Sequence, residues 1–207
     1  MDKELKMFFK KAEKDLNKLI KLSARQHDYK SISNSLYKKI DGFFVHSIYF
    51  GKYTERGLTL VVWNCIKTYQ ADDLFWTIFD MKSNIGQKDS LRANGAFVAP
   101  SLRISESTFE ILETTNLEEM SHKITSLVSQ EHNNFVQSFS ESTQAYNRYL
   151  LKKTGYLREE LMKMLANIEL QDYEMAKKMA QEEIAKGNMG GYQNNDKDIY
   201  QYILEAY

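Results

Sequence analysis

The chain of 207 residues contains one proline, one cysteine and nine glycines, and each shortage removes a class of protein. So little proline and glycine excludes collagen-like and low-complexity chains. The single thiol, Cys65, cannot close an internal disulfide, and it lies in an apolar run outside any Cys-x-x-Cys or metal-spaced cluster, so a reducing compartment is the simplest home. No apolar stretch approaches the roughly 20 residues that cross a bilayer. Near the N-terminus a lysine recurs every three or four positions, which leaves no space for the apolar core of a signal peptide. These features predict a cytoplasmic protein.

Net charge is missing too, with 28 basic against 28 acidic residues. Neutrality removes the long-range field that would steer a polyanion. The charge is nevertheless unevenly placed: residues 1–70 hold 14 Lys and Arg against 7 Asp and Glu, and residues 71–207 hold 14 against 21. The simplest arrangement lets the halves neutralise one another. The alternative makes the basic half a footprint for an anionic surface, or the acidic half a face for a partner.

What is present is material for a core. Hydrophobic residues make up 43% of the chain and aromatics 13%, which excludes intrinsic disorder. A chain this long folds without help from a disulfide or a metal.

The pattern predicts an α+β fold: an N-terminal helix, an antiparallel sheet of about four to five strands, and a C-terminal helical region. Residues 2–24 place Leu5, Phe8, Phe9, Ala12, Leu16, Leu19 and Ile20 at helical spacing, with lysines mostly opposite. Such a helix resembles a membrane-surface helix, but core packing is the expectation because a sheet follows. The runs 36–40, 43–53 and 58–69 are aromatic and β-branched, separated by turn residues at 41–42 and 54–57, and read as a meander. The third run is apolar on both faces and is expected inside the sheet. A helix over 71–81 with Asp72 as N-cap follows, then a polar loop over 83–95. A run over 96–104 comes next, in which Pro100 indicates an edge or a bulge, and 109–112 supplies a short fifth strand.

Asn116 with Glu119 resembles a capping box, opening one long helix to about residue 150 or two meeting near His132-Asn133-Asn134. A helical pair over 157–168 and 173–186, a flexible linker over 188–197 and a terminal helix over 198–207 docked in cis complete the chain. The expected organisation is a sheet body over 1–112, a helical region over 113–187 packed on it, and 188–207 as linker and helix, all one integrated domain.

Motifs that carry chemistry are scarce. His27, His46, His122 and His132 form no zinc-binding pair, and Gly-x-Ser-x-Gly, the Walker loop and Gly-x-Gly-x-x-Gly are absent. Ser35 and Lys38 match Ser-x-x-Lys, but on a strand. A nuclease-like set of carboxylates with a lysine is missing, because Lys67 has no acid on its own strand. The fragments Tyr37-Lys38-Lys39 and Phe50-Gly51-Lys52-Tyr53 alternate basic and aromatic residues as a nucleic-acid surface does, yet equally suit a strand with one wet face. The expectation is therefore no catalytic residue, no metal, no cofactor and no membrane, with no strong nucleic-acid signal and oligomeric state undefined.

The most site-like neighbourhood joins Trp63, Asp72, Asp73, Trp76 and Arg92, where aromatics and opposite charges could surround a ligand pocket. Against it stands plain packing: Asp72 caps a helix, Asp73 is solvated, Arg92 pairs with a carboxylate and the tryptophans fill core. Two functional readings result. In the first, which is preferred, the protein is non-enzymatic and meets another macromolecule, such as a protein, through its basic helix or the stretch 105–142, where seven Glu face one Lys. A small bacterial immunity or regulatory protein fits that description as a class. In the second, an enzyme or small-ligand binder uses the pocket near Trp76 and Arg92.

Overall fold

Phe9, Ala12, Leu16 and Ile20 recur three or four residues apart, and in the computed structural model they line the buried face of α1 (Lys3–Ala24). The structure describes residues 3–54, 57–139 and 142–207. Position 2 of the expected helix and the centre of the expected turn at 54–57 lie outside the described residues.

Five strands follow: β1 (Lys30–Ile32), β2 (Ser35–Ile40), β3 (Phe43–Thr54), β4 (Gly57–Thr68) and β5 (Leu102–Ile111). They form one antiparallel sheet in the order β1-β2-β3-β4-β5. Asp41 and Gly42 both have positive φ, 46° and 83°, the backbone of a two-residue hairpin turn whose twist suits the strands it joins. β4 is paired on both sides, as its two apolar faces predict.

Two strand expectations are corrected. β1 is too short to announce itself by periodicity; it exists because it pairs with β2, Lys30 opposite Tyr37 and Ile32 opposite Ser35. The runs 96–104 and 109–112 are not two strands but the single edge strand β5, which begins after Pro100. Residues 97–99 stay out of the ladder because side chains take their carbonyls: Trp76 Nε1 binds Phe97 O at 2.7 Å, Tyr192 Oη binds Val98 O at 2.8 Å and Lys67 Nζ binds Ala99 O at 3.1 Å.

Asn116 caps α4 (Leu117–Gln137), its Oδ1 accepting from the backbone N–H of Glu118 and Glu119 at 3.0 and 3.3 Å. The helical stretch then breaks after Gln137, not at 132–134, since His132 is buried within α4. It resumes as α5 (Thr143–Lys152), capped by Ser142.

The chain divides into two compact units. The first comprises Met1–Ile40, Phe44–Ile66 and Arg103–Ser138 and holds most of the sheet with α1 and α4. There Ser23 Oγ of α1 lies 2.9 Å from His122 Nδ1 and 2.8 Å from Thr125 Oγ1 of α4. The second comprises Asp41–Phe43, Lys67–Leu102 and Phe139–Tyr207. It contains α2 (Gln70–Ile78), the short α3 (Ser90–Asn94), α5, α6 (Glu159–Glu169), α7 (Tyr173–Ala185) and α8 (Ile199–Ala206). Its core gathers Phe75, Trp76 and Phe79 with Leu161, Leu165, Ala176, Ala180, Tyr192 and Ile203.

The expected linker over 188–197 is instead ordered into a hairpin of β6 (Gln193–Asn194) and β7 (Lys197–Asp198). Asn195 and Asp196 supply the two left-handed residues of its turn, φ 48° and 61°, a conformation that short polar side chains tolerate. Asp198 and Gln201 then form a capping box that opens α8, whose Ile199, Tyr200 and Ile203 are buried. The terminal helix docks in cis, as expected. Among the described residues no helix is long and apolar enough to cross a membrane.

Candidate functional site: a buried charge cluster at the corner of β4 and α2

The last residues of β4 place a lysine inside the second unit. Lys67 Nζ has three N–H donors, and it donates to Asp72 Oδ1 at 2.7 Å, Ala99 O at 3.1 Å and Arg92 O at 3.2 Å. Asp72 is not the N-cap. The helix α2 begins at Gln70, and Thr68 Oγ1 meets one of its early donors instead, accepting from Ala71 N at 3.2 Å. That leaves the Asp72 carboxylate in the first turn, where the helix dipole favours it, and fully buried. It accepts from Lys67, from Ala99 N at 2.9 Å and from Arg92 Nη1 at 3.5 Å.

Arg92 lies in α3 and not in a loop, with only 3% of its surface exposed. Asp72 and Asp73 are adjacent, so their side chains diverge on the helix, and the planar guanidinium spans both: Nη2 donates to Asp73 Oδ1 at 2.6 Å while Nη1 reaches Asp72 and Tyr69 O, the latter at 3.0 Å. Asp73 is therefore an ion-pair partner, 34% exposed, and not a freely solvated acid. Arg92 also stacks, with Cζ 4.1 Å from the Tyr69 ring centre and 5.0 Å from that of Trp76. Burial alone would ease its proton off, but the hydrogen bond to Asp73 and the charges of Asp72 and Asp73 hold its pKa above the ordinary value. Tyr69 donates to Asp89 Oδ1 at 2.7 Å, and burial followed by that bond raises the phenol pKa.

Four of the five residues singled out in the sequence thus meet in one cluster: Asp72, Asp73, Trp76 and Arg92. Trp63 belongs to the first unit, where its Nε1 donates to Glu106 Oε2 at 2.7 Å and its ring meets Phe50 at 5.1 Å and Arg103 at 4.9 Å. Lys67 is the member that sequence reasoning set aside, because its acid comes from the next element and not from its own strand. The available signal was a lone lysine in an apolar strand five residues before a first-turn aspartate.

Physically the cluster is a clamp. It fastens the segment 89–99 to α2 with hydrogen-bonded charges, and Tyr69, Asp73 and Asp89 form the part that reaches solvent. Beside it is a cavity of about 20 Å³ whose lining includes Lys67, Thr68, Tyr146, Asn147 and Glu169 but not Trp76 or Arg92.

The first unit carries a second polar cluster that spacing did not reveal. Asn64 of β4 is fully buried and donates to Ser105 Oγ at 3.1 Å and to the Glu131 carboxylate, which also accepts from Ser105. Nearby in the chain, His132 Nδ1 lies 2.7 Å from the Tyr29 hydroxyl. Burial, reinforced by the charge of Lys38, pushes the His132 pKa down to about 3, so it is a neutral imidazole. Among the described residues no three His, Cys, Asp or Glu side chains are grouped to hold a metal.

Compared with known proteins, the chain matches no family model, no curated protein and no solved structure.

Proposed function

We propose that this is a non-enzymatic interaction protein, regulatory or immunity-like in class, that docks another protein through the outward face of α1. One observation carries the reading. With its apolar face buried and Asn17 and Glu13 accepting from Tyr49 and Tyr53 of β3, α1 turns Lys3, Lys6, Lys10, Lys11, Lys14 and Lys18 to solvent, where the most exposed acids among the described residues of the helix are Glu4 and Asp15, the latter paired with Lys18 Nζ at 3.3 Å. Met7 and Leu22, 56% and 55% exposed, lie on the same outward ridge. A rigid row of ammonium groups flanked by apolar side chains complements an acidic protein surface. Lysines act here as point charges and not as the bidentate forks that read phosphate geometry.

The experiment titrates the purified protein with poly-L-glutamate, duplex DNA and phosphatidylserine vesicles across a salt series. The expected result is preferential, salt-weakened binding to poly-L-glutamate that is lost in the triple variant Lys11→Glu, Lys14→Glu, Lys18→Glu. No binding to poly-L-glutamate at low ionic strength, or tighter binding to DNA or vesicles, overturns the reading.

A further inference from the structure

β5 is the last strand of the five-stranded sheet, so one row of its backbone N–H and C=O groups faces no neighbouring strand. The opposite edge is the three-residue β1, whereas β5 runs for ten residues. Among the described residues no backbone bond from a turn, loop or cap reaches 103–111. An open strand of this length is a template for a further strand.

Its side chains alternate between faces. Ser105 reaches Glu131 of α4, whereas Glu106 accepts from Trp63 on the other face. Glu106, Thr108 and Glu110 therefore share the face turned from α4 and are exposed, while Phe109 and Ile111 are buried. Arg103 pairs with Glu106 at 2.9 Å. Beyond it no Lys or Arg occurs before Lys123, and Glu110, Glu113, Glu118 and Glu119 are exposed.

A cavity of about 430 Å³ lies at the end of β5, its walls including Thr54, Leu58, Thr59, Glu110 and Leu112. Pockets of roughly 300–1,000 Å³ accept small ligands or side chains. Glu110 is the one charged group among the described lining residues, and Leu112, 48% exposed, forms an apolar lip. The strands meet closely beside the cavity, since a Cβ on Gly57 would stand 2.8 Å from Ile111 O.

We propose that β5 is a docking edge that takes an extended basic segment of another protein as a sixth strand, with a lysine or arginine of that segment seated in the cavity against Glu110.

Backbone pairing accepts any sequence, so the cavity and the charge choose the occupant. Glu106 and Glu110 stand four residues apart on one face, about 13 Å at roughly 3.3 Å per residue. A segment with basic residues at the same spacing places one opposite each carboxylate. Glu106 is already engaged by Arg103 and Trp63, whereas Glu110 has no ion pair among the described residues. A lysine or arginine lays its aliphatic stem on Leu58 and Leu112 and its charged head on Glu110. Charge on an edge also keeps out chance neighbours, but that role is indifferent to sign and needs no cavity. A second copy would bring two acidic edges together, and nucleic acid would set phosphates against the same carboxylates. This surface is separate from the lysine ridge of α1 and opposite to it in charge.

The test is fluorescence anisotropy of a labelled peptide alternating lysine with valine, titrated with the full chain across a salt series, with amide hydrogen exchange read over 103–111. The expected results are salt-weakened binding, slowed exchange at amides of 103–111, and about tenfold weaker binding to Glu110→Lys, the scale of one attraction turned into a repulsion. Glu110→Gln, uncharged and of the same shape, is expected to give an intermediate loss, and no loss in either variant overturns the seat at Glu110. Equal binding by the peptide N-methylated at every residue, which keeps the charges and removes every strand donor, overturns the added strand. So does slowed exchange that spares 103–111. Tighter binding of oligothymidylate, or self-association of the chain alone with protection of the same amides, gives the edge to another occupant and overturns the proposal.

Discussion

Lys67 Nζ and Asp72 Oδ1 stand 2.7 Å apart with their side chains 2% and 0% exposed, an ion pair withdrawn from water between the end of a strand and the first turn of a helix. Removing one member strands the other. Asp72→Leu leaves a buried ammonium and Lys67→Met a buried carboxylate, and such losses run to about 3–5 kcal/mol. The paired replacement Lys67→Met, Asp72→Leu removes both charges, so its cost is expected to fall well below the sum of the single changes. Urea unfolding of the two single variants and the double measures the coupling; additive costs would mean that the pair is incidental.

Arg92 makes a different demand, for shape as well as charge. Its fork bridges Asp72 and Asp73, its Nη1 holds Tyr69 O, and its plane lies on Tyr69 and Trp76. Lysine offers a point charge without the fork or the stacking plane. Arg92→Lys is therefore expected to lose most of what Arg92→Ala loses, about 3 kcal/mol or more for a buried partner. Asp73→Asn, at the exposed edge, is expected to cost about 1 kcal/mol or less. Denaturant midpoints rank the three, and near wild-type stability in Arg92→Lys would show that charge alone suffices.

How much of this was legible in the sequence depends on whether a feature is local. The face of α1, the turn at Asp41 and Gly42, the two-sided burial of β4 and the cap at Asn116 follow from spacing and local chemistry within a few residues. The neighbourhood of Asp72, Asp73 and Arg92 is not local, and only the fold brings the guanidinium onto the two carboxylates. Hidden from the sequence were the partners that only tertiary structure supplies: Lys67 looked unpaired because its acid lies on the next element, and Glu169 looked like any helix-terminal glutamate until α5 and Thr68 closed on it. The segment 188–197 was misread because glycine and asparagine suit a linker and a tight hairpin equally. The pairing of β6 with β7 decides between them.

His132 sets an acid-side limit on stability. Folded, its pKa is pushed down to about 3 by burial and by Lys38; unfolded, it takes the ordinary value near 6.5. Below about pH 6.5 the unfolded chain binds more protons, so stability is lost as pH falls toward about 3, by up to roughly 1.4 kcal/mol per pH unit. Replacing it by glutamine, His132→Gln, is expected to flatten that slope. Urea midpoints at pH 7, 6 and 5 for both proteins test this, and parallel slopes would place the acid sensitivity elsewhere.

The hairpin that replaces the expected linker makes the last prediction. A flexible linker over 188–197 is cut readily by proteases, whereas a segment closed by β6 and β7 resists. Gly190 supports the closed form: φ is 66°, and a Cβ there would come within 2.6 Å of the Ile199 side chain. The turn residues Asn195 and Asp196 are both left-handed, so a β-branched replacement such as Asp196→Val is expected to cost about 1–2 kcal/mol. Glycine at the same position fits the backbone. Losing the capping box in Asp198→Ala is expected to cost about 1 kcal/mol and to fray α8 from its first turn. Limited proteolysis of wild type, Asp196→Gly, Asp196→Val and Asp198→Ala orders these effects. Rapid cleavage of the wild type between 188 and 198 would contradict the hairpin, while protection in wild type and Asp196→Gly, with cleavage appearing in Asp196→Val and Asp198→Ala, ties the docking of the terminal helix to this two-residue turn.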